Sequence, residues 1–90
     1  MRIIKRTIFI NGVGYDIWLG LVNKSYGRKA DFQLYYYAGD PDDPFHSPQS
    51  LKNGFKTERE AIEYGKTFMK NLLQEALNRQ ARVDSTQPEA

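Results

Sequence analysis

Ninety residues, 40% of them hydrophobic and 27% charged, suit one globular domain with a single core and leave no room for a second. There is no cysteine, which excludes disulfide frameworks, cysteine–zinc sites and cysteine nucleophiles, and fits a reduced, cytoplasmic setting. Net charge is only +2, but residues 1–30 carry six basic side chains against one acid, while residues 31–47 carry four acids and no Lys or Arg. A basic hairpin beside an acidic loop is a weak pointer to a polyanionic partner.

The basic start, Met1 to Arg6, is followed by an apolar run of only Ile8-Phe9-Ile10. A signal peptide needs roughly 7–15 apolar residues and a membrane span ~20, so a strand is expected here and no membrane partner. Residues 3–10 and 13–22 are both rich in Ile, Val, Leu and aromatics, with Asn11-Gly12 between them. Asn-Gly is a strong hairpin signal, because a type I′ turn needs positive φ at both central residues. That turn sets Ile10 opposite Val13, Ile8 opposite Tyr15, Arg6 opposite Ile17 and Ile4 opposite Leu19. Opposed residues share a face, so Ile4, Ile8, Ile10, Val13, Tyr15, Ile17, Leu19 and Leu21 form a core face. Arg6 is its one misfit and is placed at the rim, its stem snorkelling outward. A longer, four-residue turn using Gly14 would shift this register.

Asn23 to Ala30 reads as a polar loop with Gly27 at its tip. A third strand is expected over residues 31–38, with Phe32, Leu34, Tyr36 and Ala38 toward the core and Gln33, Tyr35 and Tyr37 away from it. Gly39-Asp40-Pro41-Asp42-Asp43-Pro44 terminates it. Residues 45–54 read as an irregular loop, with room for a short edge strand near Leu51. Thr57-Glu58-Arg59-Glu60 then fits a capping box, with Thr57 as N-cap. Ala61, Ile62, Gly65, Phe68, Met69, Leu72, Leu73 and Ala76 recur at helical spacing, and the helix is expected to run to about Arg82. Gly65 lies within that stripe, where the missing side chain permits close approach to the sheet. The expected fold is α+β: three antiparallel strands, or four, packed on one C-terminal helix, with residues 1–82 as the domain and 83–90 as a disordered tail.

Chemistry-bearing patterns are weak. Asp40, Asp42, Asp43 and His46 have metal-ligand residue types, but they lack the EF-hand spacing and the second His or Cys of a zinc site. Ser25, Ser47 and Ser50 have only His46 as a base and no accompanying glycine motif. Glu58, Glu60 and Glu63 are explained by helix capping and dipole effects. No catalytic residue, metal or cofactor is therefore assigned, and an enzyme is not expected.

The informative feature is the sheet face that the single helix leaves uncovered. It is expected to display Lys5, Phe9, Trp18, Gln33, Tyr35 and Tyr37, together with Thr7 and Asp16. Exposed aromatics on a sheet mark binding surfaces. A protein partner or a second copy would use Trp and Tyr as anchors. Single-stranded nucleic acid would instead stack its bases on the rings while Lys5, Arg2 and Lys29 take phosphates. The third option is that the 39–56 loop or the tail folds back over the face.

Around Gly54-Phe55-Lys56-Thr57-Glu58-Arg59-Glu60-Ala61 the chain resembles the strand-to-helix junction of integrase arm-type DNA-binding domains, and of plant ethylene-response DNA-binding domains. That resemblance implies a three-stranded sheet laid in the major groove of duplex DNA. Those families carry several Arg on the DNA-facing strands, where this chain has Lys5, Trp18, Tyr35 and Tyr37. The chain is equally similar to small stand-alone bacterial βββα proteins with no assigned role; its own residues lead to the expectation of a non-catalytic binding or interaction module.

Overall fold

Asn11 and Gly12 adopt φ of 52° and 80° in the computed structural model, the pair of positive values a type I′ turn requires. The structure describes the backbone of residues 1–86 and the side chains of residues 1–81. Around that turn β1 (Arg2–Ile10) and β2 (Val13–Asn23) pair antiparallel in the expected register, with Ile8 opposite Tyr15 and Ile4 opposite Leu19. The longer turn is not formed. Gly14 serves another purpose: a Cβ there would lie 3.2 Å from the Phe9 ring, which rests across the strand on the glycine.

β3 (Phe32–Tyr37) adds to β2 and β4 (Gln49–Phe55) adds to β3, so the sheet has four antiparallel strands in the order β1-β2-β3-β4. Most of the segment read as irregular over residues 45–54 is therefore strand. Its pairing with β3 is interrupted by register shifts between Phe32 and Leu34 and between Leu34 and Tyr35. Such bulges destroy the two-residue alternation by which a strand is recognised in sequence. As an edge strand it also buries little: Phe55 is 4% exposed, Leu51 is partly buried, and the rest faces water.

α1 (Glu58–Thr86) covers one face of the sheet. Thr57 is its N-cap, the hydroxyl accepting the Glu60 amide at 3.1 Å. Thr57→Ala should cost about 1 kcal/mol with the fold intact. A thermal melt of that variant superimposing on the parent would show that the cap contributes nothing. Gly65 is where α1 comes closest. A Cβ at this position would sit 2.7 and 2.9 Å from the two methyls of Leu19 and 3.3 Å from a methyl of Leu34. The core beneath it comprises Ile4, Ile8, Ile17, Leu19, Leu21, Leu34, Phe55, Ala61 and Met69. Phe68 packs on Tyr36 with ring centroids 5.0 Å apart.

Several residues assigned to the core lie beyond its edge. Val13 is 52% exposed beside the turn, and Ala38 has left the strand and is exposed. Leu72 is 40% exposed and Ala76 is exposed as well, because the helix outruns the sheet. Leu73 is the last described helix residue packed against the core. The radius of gyration, 16.2 Å, exceeds the ~12 Å of a compact chain of this length, as a projecting helix requires. Arg6 faces out, its guanidinium bonded to the Lys5 carbonyl. Residues 83–86 continue the helix, where a tail had been expected, and residues 87–90 lie outside the described residues. Among the described residues no helix is long and apolar enough to cross a membrane.

Candidate interaction face

With α1 on one side, the other side of the sheet is built from the alternate residues of each strand. β1 contributes Ile3, Lys5, Thr7 and Phe9, β2 contributes Gly14, Asp16, Trp18, Gly20 and Val22, and β3 contributes Gln33, Tyr35 and Tyr37. Two apolar side chains stand well exposed there: Phe9 at 64% and Ile3 at 49%. Trp18, Val22 and Tyr35 are partly buried by their neighbours.

The polar residues of the face satisfy one another. The Thr7 hydroxyl donates to an Asp16 carboxylate oxygen at 2.9 Å, and the Lys5 ammonium sits 3.6 Å from the other oxygen. The same ammonium lies 5.6 Å from the Trp18 ring centroid, directly across the strands. Lys5 thus has an anionic neighbour and an aromatic one before any partner arrives. Gln33 donates through Nε2 to Ser50 of β4 at 3.3 Å, while its Oε1 is buried without a hydrogen-bond partner.

Tyr37 departs from expectation. It was placed on the displayed face, and its register there is as expected, opposite Trp18, yet it is only 5% exposed. It stands apart from the helix-side core. Trp18 is its cross-strand neighbour, and the chain leaves the strand at Ala38 into the 38–48 loop. That loop is compact. The His46 ring fills the space a Gly39 side chain would need, and its Nδ1 lies 3.0 Å from the Asp40 carbonyl. Asp40 and Asp43 accept the Asp42 and Phe45 amides at 2.9 Å each, so the acidic residues of this loop build its turns. The face is thus closed at Tyr37, while Phe9 and Ile3 at the β1 side stay exposed.

Three contributors were missed by sequence reasoning: Met1, Ile3 and Val22, the last set on this face by its place opposite Gln33. Met1 lies over Gly20, its sulfur and Cγ occupying the place of a side chain there, beside the Tyr35 Cβ. Ile3 extends the apolar strip along β1. The alternation that placed Lys5, Thr7 and Phe9 on this face holds for Ile3 too. The Met1 contact depends on strand pairing and left no signal.

Fold and face together define a small α+β domain with one helix-covered sheet face and one open, aromatic face. Comparison with known protein families, with curated proteins and with solved structures finds no significant match, so the face is interpreted from its own residues.

Proposed function

We propose that the chain is a non-catalytic interaction module whose open sheet face docks on a protein surface. A second copy of the chain is the partner we favour. The carrying observation is the charge state of the face: Lys5 and Asp16 neutralise each other, leaving Ile3, Phe9, Trp18 and Tyr35 as the groups with surface still to bury. A near-neutral face with aromatic anchors has the composition of an interface core, which is depleted in charge and enriched in Trp and Tyr. Two such faces meet without charge repulsion, and two-fold symmetry asks only that a patch complement itself.

The competing use of this face, base stacking on Trp18 and Tyr35 with phosphate on Lys5, is disfavoured by the same pair. Asp16 would repel a phosphate placed on Lys5, whose ammonium lies 3.6 Å from the Asp16 carboxylate.

Sedimentation at micromolar concentration should show a dimer. Trp18→Ala, which removes a central anchor without touching the helix-side core, should give a folded monomer. Phe9→Ser, at the exposed side, should weaken the dimer as well. A parent chain that stays monomeric at hundreds of micromolar would defeat self-association.

A further inference from the structure

At the opposite corner from the aromatic face centre, the β2–β3 loop and the end of β4 enclose an open groove of about 740 Å³. Its walls carry Arg28, Lys29 and Lys56, with Asp31 and Gly54 between them. We propose that this groove binds the phosphate backbone of a single nucleic-acid strand.

Three observations converge on a polyanion. First, three cations line one groove and, among the described residues, none of them is in an ion pair, as is also true of Arg6, Lys24, Lys52, Arg59 and Lys70. Second, the one carboxylate in the groove is already engaged, Asp31 accepting the Gly54 amide at 3.0 Å. It staples the loop to β4, and its single negative charge stands against three cations in the groove. Third, the loop is held in shape before any ligand arrives. Tyr26 and Lys29 exchange both backbone bonds, at 3.0 and 2.9 Å, around Gly27 at φ +57°. The Lys24 amide donates to the Asp31 carbonyl at 2.8 Å, and the Asp31 amide to the Ser25 hydroxyl at 3.0 Å. Three like charges held together on a pre-shaped wall repel one another, and an anion relieves that repulsion.

The choice of a nucleic-acid strand over other anions rests on Tyr26. It is 87% exposed and is the cross-strand partner of Lys29 in the tight turn. Directly paired residues project to the same face, so Tyr26, which does not itself line the groove, leaves the turn on the same side as Lys29, which does. A free aromatic ring next to clustered cations matches what single strands use, stacking for a base and cations for the phosphates on either side of it. The site shares no residue with the aromatic sheet face, so each proposal stands or falls alone.

The test is fluorescence anisotropy of a labelled single-stranded oligonucleotide of about twelve nucleotides, within the range such platforms cover. Neutralising three phosphates gives a log–log salt slope of about −2, so raising salt from about 50 to 200 mM should weaken binding roughly fifteenfold. Substituting Arg28, Lys29 and Lys56 together by Gln should abolish binding and flatten that slope. Tyr26→Ala should weaken it about fivefold or more, with Tyr26→Phe retaining parent affinity. All four residues are exposed, and circular dichroism confirms that each variant is folded. Inorganic triphosphate is the second arm. If it competes at an affinity equal to the oligonucleotide and Tyr26→Ala changes nothing, the strand assignment is overturned. No binding at tens of micromolar oligonucleotide in low salt overturns it too, as does binding that survives the triple substitution and is lost in Trp18→Ala.

Discussion

Gly65→Val should destabilise the protein by about 3 kcal/mol or more, a large part of the ~5–13 kcal/mol available to a domain of this length. The expectation runs against local propensity. Glycine in a helix interior is roughly 1 kcal/mol worse than alanine, so on an exposed helix replacing it by alanine would help. Here the added carbon would meet Leu19 methyls at 2.7 and 2.9 Å and a Leu34 methyl at 3.3 Å. Those methyls belong to side chains with 0% exposure, which have no free volume to move into. The helix must then lift off the sheet, separating the apolar layer it exists to cover. Valine adds two further methyls and a stiff χ1. Urea melts should show the midpoint falling with an unchanged slope. Gly65→Ala is the graded control, expected to be mildly destabilising because clash and propensity oppose each other. A stabilised Gly65→Ala protein would show that α1 does not rest on Leu19 at this point.

Leu19→Ala is expected to cost about 2–5 kcal/mol, through lost burial and a cavity at the centre of the sheet. Leu19 is fully buried, in mid-strand, opposite Ile4 on one side and Tyr36 on the other. Its surroundings are held by two neighbouring strands and the helix, so collapse into the cavity is limited. The position of Gly65 makes the experiment sharper. In a Leu19→Ala background the carbon introduced by Gly65→Ala points into the vacated space. The double variant should therefore be less destabilised than the two single effects added, by about 1 kcal/mol or more, as contacting residues couple. Strict additivity in chemical denaturation would mean that the two positions do not touch.

Much of this architecture was legible in the chain because it depends on neighbours in sequence. A two-residue Asn-Gly turn leaves one way to pair its flanks, so the β1–β2 register follows from counting. The Thr57 cap and the apolar stripe from Ala61 to Leu73 follow from helical period. The identity of the open face follows in turn from the two-residue period of β1, β2 and β3: Lys5, Phe9, Trp18, Gln33, Tyr35 and Tyr37 all project where alternation put them.

What tertiary structure alone decided has a common physical cause, contact between residues far apart in the chain. β4 was legible only as room for a short edge strand near Leu51, because bulges erase the alternation and an edge strand has one polar side and little to bury. The burial of Tyr37 is likewise beyond alternation, which gives the face a side chain takes but not what packs over it. The exposure of Leu72 and Ala76 depends on where the sheet ends beneath the helix, a length that the helix's own pattern does not encode. Charge pairing decided the use of the sites. Alternation already put Lys5 and Asp16 on one face, but only the fold shows them 3.6 Å apart as an ion pair. Lys56 looked unremarkable until β4 carried it to Arg28 and Lys29. Alternation tells which face a side chain takes, whereas electrostatics depends on distance, and only the folded chain supplies distances.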